Sequence, residues 1–210
     1  MAGMDLKRTL ISQFGNPRGA VGNIAGWVMA HRPSNRRRNE WAVSLLDVQT
    51  ADRVLEIGFG PGRAIAELAR RSDHVSGVDR SEVMLRQATR RNAAAIRSGR
   101  VTLAQGSVEE LPFDGPFDVI LAVNTLGFWA EPAQQLAKLR GKLAPGGRVA
   151  IVSQPRAAKE PPPRAAVRLT ALLETAGFAE TTSHLLELDP PVVCVIGINA
   201  LAREPSAGRV

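Results

Sequence analysis

The sequence is poor in cysteine, in aromatic residues and in long apolar runs. The single cysteine, Cys194, excludes an internal disulfide and a cysteine-only zinc site, and it suits a reducing compartment. Aromatic residues make up 4% of the 210 residues and tyrosine is absent, so an aromatic cage would depend on phenylalanine and tryptophan. The apolar stretch at residues 20–30 is shorter than the roughly 20 residues of a bilayer-spanning helix, and no secretory pattern is visible. These absences predict a cytoplasmic protein.

Positive charge is in excess, with a formal net charge of +7. Such a balance attracts anionic partners, including nucleic acid, phospholipid head groups and acidic small molecules. An arginine-biased protein that gains only solubility from its charge would have the same composition. Charge alone therefore does not choose a partner.

From Arg53 onward, short apolar strands alternate with helices. This order favours an α/β fold with a mainly parallel sheet that is covered by helices on both faces. The last two strands are joined only by a short link containing Pro190 and Pro191, which predicts an antiparallel hairpin. Pro145, Gly146 and Gly147 are expected to end the third helix. The predicted strands are residues 53–57, 75–79, 101–104, 117–123, 148–153, 181–188 and 191–198, and the helices are residues 63–71, 81–97, 132–143 and 164–176.

The first 50 residues have a different pattern and predict a helical lid or substrate segment. Two helices are expected, at residues 20–31 and 39–47, with a break at residues 33–35. Residues 27–29 and the arginines at 36–38 allow two interpretations: an amphipathic lid on an anionic membrane, or a lid packed on the core with a solvated arginine face. Residues 51–203 form the main domain, and residues 204–210 are expected to be a frayed tail.

The most informative segment is the glycine-rich turn that follows the first strand. Gly58, Gly60 and Gly62 have the spacing G-x-G-x-G at the carboxyl end of a strand, where parallel sheets bind ligands. A dinucleotide loop needs a small residue where this chain has Arg63, and a phosphate loop needs Gly-Lys-Ser/Thr. A nicotinamide-dependent reductase is therefore disfavoured, while a glycine turn without a ligand stays open.

Two acidic residues accompany this turn. Asp79 ends the second strand, where a carboxylate can accept hydrogen bonds from both hydroxyls of a ribose. A simple helix-start acid beside Ser81 is the alternative interpretation. Glu56 places an acid inside an otherwise apolar strand end. Since neighbouring strand ends share one cleft, the acids and the glycines predict a single site.

Together these segments resemble the class I S-adenosylmethionine-dependent methyltransferases of the small-molecule type, over residues 52–198. The resemblance implies a Rossmann-like three-layer sandwich with a seven-stranded sheet. Its five motifs, in chain order, are residues 54–62, 77–79, 105–113, 117–120 and 139–152.

The resemblance also implies which residues bind the cofactor. The three glycines would line its methionine part, with Glu56 near the ammonium group and Asp79 on the ribose. The residues implied are Glu56, Gly58, Phe59, Gly60, Gly62, Asp79, Arg80, Met84, Ser107, Val108 and Asn124.

The remaining implied contacts concern the adenine and the reaction cleft. Arg80 and Met84 would flank the adenine, and Ser107 and Val108 would meet its edge. Many members of the family have Asp at the position of Ser107, so the adenine contact departs from the family pattern. Asn124 would face the methionine moiety and the cleft.

The function implied is transfer of a methyl group, by in-line displacement, to a small-molecule or lipid acceptor. No metal site and no catalytic residue are predicted; His31 is a candidate base or a surface histidine. Phe128 and Trp129 either form a wall of the acceptor site or pack on the next helix. No Asn-Pro-Pro-Tyr-like tetrad follows the fourth strand, which argues against a nucleic-acid acceptor. A non-catalytic cofactor-binding or nucleotide-binding module stays an alternative.

Overall fold

The computed structural model of the protein describes residues 33–154 and 160–200. The predicted helix at residues 20–31, His31 and the predicted tail lie outside these residues. The helices are α1 (Pro33–Ser44), α2 (Arg63–Leu68), α3 (Glu82–Arg91), α4 (Ala93–Arg97), α5 (Pro132–Gly141) and α6 (Pro162–Thr175), with a 3-10 turn at Leu126–Phe128. The strands are β1 (Arg53–Ile57), β2 (His74–Asp79), β3 (Val101–Gln105), β4 (Phe117–Val123), β5 (Leu143–Ser153), β6 (Ala179–Leu186) and β7 (Val192–Ile198).

The seven strands form one sheet in the order β3-β2-β1-β4-β5-β7-β6. The first five strands of this order are parallel, and β7 runs antiparallel to both β5 and β6. The predicted mainly parallel sheet with a carboxyl-terminal antiparallel hairpin is therefore confirmed. The chain runs outward from β1 through β2 to β3 and then returns to β4, so the strand order reverses beside β1. Open α/β sheets bind ligands in the crevice at such a reversal.

Helices cover both faces of the sheet, because the central strands are apolar on both faces. Val54 and Leu121 face the core that α1, α2 and α3 complete. Leu55 and Ile120 face the opposite core, which α5 and α6 complete. Burial on both faces is typical of a parallel sheet. The result is the predicted three-layer sandwich.

The helix α1 belongs to the first of these two cores. Ala42 and Val43 in α1 and Leu46 just after it are fully buried with the residues of β1 and α2. Arg36 and Glu40 form an ion pair of 2.7 Å on the outer surface of the helix. Residues 33–48 thus pack against the sheet that carries the glycine turn.

The predicted boundaries differ most from the structure at α1, at β5 and in the helix predicted at residues 81–97. Pro33 lies in the first turn of α1 rather than in a break, since proline lacks only an N–H that has no partner there. Gly146 and Gly147 lie inside β5, where Gly146 donates to Asn199 O at 2.7 Å and extends the sheet. The helix predicted at residues 81–97 is divided at Asn92 into α3 and α4.

Candidate active site

The glycine turn has left-handed backbone geometry at three positions. Gly58, Gly60 and Gly62 have φ angles of 71°, 53° and 75°. A Cβ atom on Gly58 would lie 2.2 Å from Thr125 Cγ2, and one on Gly62 would lie 2.6 Å from Asn92 Nδ2. No described atom lies within 4 Å of the same point on Gly60. The outer glycines therefore allow close packing, whereas Gly60 borders open space.

Asp79 connects the end of β2 to this turn. Its Oδ2 accepts a hydrogen bond from Gly60 N at 2.8 Å, and its Oδ1 accepts one from Ser81 N at 2.9 Å. The side chain is 9% exposed, and burial raises its pKa against the opposing effect of these two bonds. A carboxylate oxygen can accept two hydrogen bonds, so each oxygen retains capacity for a ligand hydroxyl.

Glu56 lies beside Asp79 at the end of β1 and is 2% exposed. Burial, and then the negative charge of Asp79, raise its pKa from 4.5 to about 8. A hydrogen bond from the Ile65 amide and the positive charge of Arg38 act in the opposite direction. Its Oε2 atom is buried and has no hydrogen-bond partner in residues 33–154 and 160–200. Buried polar atoms are rarely left in this state, so Oε2 is a candidate contact for a ligand donor.

The loops after β2 and β4 contact each other, although β1 lies between these two strands in the sheet. The Arg80 guanidinium, just after β2, lies 5.2 Å from the ring centre of Phe128, which follows β4. Gln105 Nε2 donates to Arg80 O at 3.1 Å and links the same loop to the end of β3. Phe128 is 49% exposed. The loops after β2, β3 and β4 therefore meet around the carboxyl end of β1.

The predicted adenine contacts, considered together with Phe59 of the glycine turn, are partly solvent-facing and partly in the core. Burial raises the pKa of Glu109, but hydrogen bonds from the Ser107 hydroxyl and from backbone amides outweigh this effect, so the pKa falls below its usual value. Val108, Met84 and Phe59 are buried among core side chains. Ser107 is thus the half-buried polar group in this set, and the cofactor contacts of all four residues stay predictions.

Asn124 directly follows β4, has a positive φ of 56° and takes part in a network that the sequence did not predict. Its Oδ1 accepts a hydrogen bond from Gln154 N at 2.6 Å. The Gln154 side chain accepts from Arg38 Nη1 at 2.8 Å and donates to Pro190 O at 2.8 Å. Gln154 therefore joins α1, β4 and the link between β6 and β7. Arg38 carried a weak signal as part of a charged run, and Gln154 carried none.

Two histidines lie in the described part of the chain, and both are remote from this cleft. His74 begins β2 at the amino-terminal edge of the sheet, and His184 lies on the edge strand β6. Within residues 33–154 and 160–200, no three His, Cys, Asp or Glu side chains are grouped as metal ligands. Cys194 is fully buried, and burial raises its pKa to about 12, as suits a core residue. No helix of the described ranges is both long enough and apolar enough to span a membrane.

Comparison with known proteins decides the family. A model of a methyltransferase domain matches residues 54–147. The methyltransferase YdaC of Bacillus subtilis is 31% identical over 189 residues, which cover 87% of this chain and 99% of that protein. The chain belongs to the class I S-adenosylmethionine-dependent methyltransferases. This methyltransferase assignment confirms the resemblance stated from the motifs and sets the reductase alternative aside.

Solved structures agree on the fold of this methyltransferase. A SAM-dependent methyltransferase from Aquifex aeolicus superimposes with a TM-score of 0.64 at 20% identity, covering 80% of this chain and 94% of that one. The YcgJ protein of Bacillus subtilis gives a TM-score of 0.63 at 14% identity, covering 79% of this chain and 99% of that one. At these identities the likeness concerns the fold alone.

S-adenosylmethionine, the family's cofactor, fits the residues of the cleft. Its ammonium and sulfonium groups are cations, and Glu56 and Asp79 place two buried carboxyl groups side by side. The unpartnered Oε2 of Glu56 can accept a hydrogen bond from an ammonium, and Gly60 allows close approach to the backbone.

Proposed function

We propose that this methyltransferase binds S-adenosylmethionine across the carboxyl ends of β1 and β2 and methylates a small-molecule or lipid acceptor. The observation that carries the proposal is the placement of two buried acids, Glu56 and Asp79, close enough to interact, with Asp79 hydrogen-bonded to a glycine that borders open space. Buried acids of this kind destabilise a fold unless a ligand or a proton compensates them.

Each part of the turn has a proposed role. Glu56 binds the ammonium group, Gly58, Gly60 and Gly62 shape the backbone around the methionine part, and Asp79 holds the ribose hydroxyls. Arg80 and Met84 flank the adenine, Ser107 and the Val108 amide meet its edge, and Asn124 faces the reaction cleft. Support comes from the shared position of Glu56, Asp79 and Asn124 at the carboxyl edge of three adjacent strands.

The sulfonium of the bound cofactor supplies an activated methyl group. The protein has to align an acceptor behind that methyl and exclude water, and such positioning supplies much of the acceleration. The segment after β4 is suited to this task, because Phe128 is half exposed, while Trp129 packs against the core that α5 and α6 complete. An apolar surface at this place favours an acceptor with an apolar or aromatic part.

The experiment that tests the cofactor site is calorimetric titration with S-adenosylmethionine, and with NADPH as the competing cofactor class. We expect binding of the first ligand only. Asp79→Ala and Gly60→Val should each lower the affinity by about 100-fold, since one removes the ribose acceptor and the other fills the open space beside the turn.

Asp73→Ala is the matched control, because Asp73 is an exposed acid at the opposite edge of the sheet. Its affinity should equal that of the wild type. Folded Asp79→Ala and Gly60→Val proteins with undiminished affinity would contradict the proposed site.

The acceptor class needs a separate test. If the acceptor is a membrane lipid, the protein should sediment together with anionic phospholipid vesicles at low salt, because its net charge of +7 favours such a surface. Absence of binding would leave a water-borne small molecule as the acceptor.

A further inference from the structure

The guanidinium of Arg38 lies at the carboxyl edge of the sheet, although its helix begins the described chain. Arg38 Nη1 donates to Gln154 Oε1 at 2.8 Å, and Gln154 N donates to Asn124 Oδ1 at 2.6 Å. The next residue after Asn124 is Thr125, whose Cγ2 lies 2.2 Å from the position of a Cβ atom on Gly58. These contacts lead from α1 to the glycine turn along the ends of β5, β4 and β1.

An amino-acid ligand in this turn carries two opposite charges on one carbon atom. Glu56, which is 2% exposed and has an Oε2 atom without a partner in the described part of the chain, matches the ammonium. The neighbouring carboxylate needs a cation close to Glu56. Arg38 is a cation whose charge reaches Glu56.

We propose that Arg38 binds the α-carboxylate of the cofactor's amino-acid end, opposite Glu56 on the ammonium, so that α1 forms part of the cofactor site. The inference rests on the proposed function, and it adds a residue that none of the five motifs contains. A guanidinium is suited to this contact, because its planar fork of N–H donors matches the two oxygens of a carboxylate. Gln154 is a positioning residue, since its hydrogen bond fixes the place of that fork.

A second arginine near the turn interacts with Arg91. Arg63 begins α2, and burial, followed by the positive charge of Arg63, lowers the pKa of Arg91. Arg91 Nε in turn donates to Pro61 O at 2.9 Å. This pair therefore lies on the α3 side of the turn, whereas Arg38 lies on the β4 and β5 side with Asn124 and Gln154.

The test compares three ligands that differ at the amino-acid end. S-adenosylhomocysteine has both charges, its decarboxylated analogue keeps only the ammonium, and 5′-methylthioadenosine has neither. In calorimetric titrations, Arg38→Gln should weaken S-adenosylhomocysteine by about 30-fold and should change the other two ligands by less than about threefold. Arg38→Lys, which keeps the charge without the fork, should lose an intermediate amount of affinity for S-adenosylhomocysteine alone.

Two matched variants complete the experiment. Arg37→Gln removes the same charge from the exposed neighbour on α1, and Arg63→Gln removes it from the start of α2. Neither should discriminate among the three ligands. Because Arg38→Gln also removes a hydrogen bond within the protein, its melting temperature is measured alongside, and Arg38→Lys carries the test if Arg38→Gln does not fold.

The possible results separate this inference from the proposed function. Equal losses for all three ligands in Arg38→Gln, or discrimination by Arg63→Gln instead, overturn the role of Arg38 and leave the adenosyl site intact. A wild-type protein that binds none of the three ligands overturns both proposals. Discrimination confined to the Arg38 variants supports both.

Discussion

The two ends of the parallel strands contain polar clusters of opposite kinds. At the amino-terminal end, Arg148 donates to Leu46 O at 2.6 Å and to Asp47 O at 3.0 Å, and it pairs with Asp52 at 2.9 Å. A second acid at this end also has a hydrogen-bond partner, because Asp118 Oδ2 accepts a hydrogen bond from the Arg53 amide at 2.7 Å. The Arg148 guanidinium contacts either an opposite charge or a carbonyl oxygen. The cluster thereby connects the segment between α1 and β1 to β5.

At the carboxyl-terminal end the balance is different. Glu56 and Asp79 are two acidic side chains in one buried place, and Glu56 Oε2 and Thr125 Oγ1 have no partners among the residues described. A satisfied cluster stabilises the fold, whereas an unsatisfied one costs stability and is retained where a ligand completes it. The same sheet thus has a structural end and an end that we propose as the binding end.

Glu56→Gln should produce the largest effect at the binding end. The substitution keeps the shape of the side chain but removes the negative charge opposite the ammonium, so S-adenosylmethionine affinity should fall by about 100-fold, or about 2.7 kcal/mol. Calorimetry measures the affinity. Glu67→Gln, at an acid of α2 that pairs with Arg70, is the control, and equal affinities for the two variants would contradict the difference between the two ends of the sheet.

Arg148→Ala should produce the corresponding effect at the structural end. The loss of two carbonyl contacts and one partly buried ion pair should lower the free energy of unfolding by about 2–3 kcal/mol in denaturant titrations. Cofactor affinity should stay within about threefold of the wild type. Arg168→Ala breaks a more exposed pair with Glu160 and should cost less than about 0.5 kcal/mol. Loss of binding without loss of stability in Arg148→Ala would contradict the comparison.

The pH dependence of stability should reveal Glu56 directly. Its pKa is about 8 in the folded protein and 4.5 as an ordinary carboxyl, so the folded state holds an extra proton between these values. The contribution of Glu56 to stability is therefore full below about pH 4.5 and is lost as the pH rises to about 8. Melting temperatures of Glu56→Gln, relative to the wild type, should rise from pH 5 to pH 9. A constant difference would show that Glu56 titrates normally.

Phe128→Ala should give the smallest effect. The ring is half exposed and contacts Arg80, and contacts of this kind contribute about 0.5–1 kcal/mol, so cofactor affinity should fall by no more than about fivefold. Stability should not change. Leu185→Ala, an equally exposed apolar residue on β6, serves as the control and should leave the affinity unaltered. A loss beyond tenfold would make the loop contact a principal part of the site.

The fold was predictable where a segment's own residues determine its structure. The apolar runs of β1 and β4 gave their bounds without error, and β2 was one residue longer than predicted. Gly146 and Gly147 were misread because glycine normally marks a turn, whereas here Asn199, more than 50 residues later, pairs with both. Pro33 was misread because a proline that ends one helix and a proline that begins another look alike in sequence.

The candidate site divides in the same way. Gly60 and Asp79 could be located because strand ends of consecutive βα units meet at one edge, and their hydrogen bond joins residues 19 positions apart. Arg38 could not, since its partner Gln154 is 116 positions away and belongs to no motif. A run of three arginines favours a solvated face, and only the tertiary contact distinguishes the third arginine from the other two.

The residue that divides α3 from α4 also couples the length of α3 to the geometry of the glycine turn. Asn92 Nδ2 donates to Gly62 O at 3.0 Å and to Ala88 O at 2.9 Å. The Asn92 side chain therefore links the backbone of the last glycine of the turn to α3. One residue inserted into α3 would rotate the amide by about 100° about the helix axis and move it off that carbonyl. Such an insertion would loosen the turn without altering Glu56, Gly60 or Asp79, the residues of the proposed site.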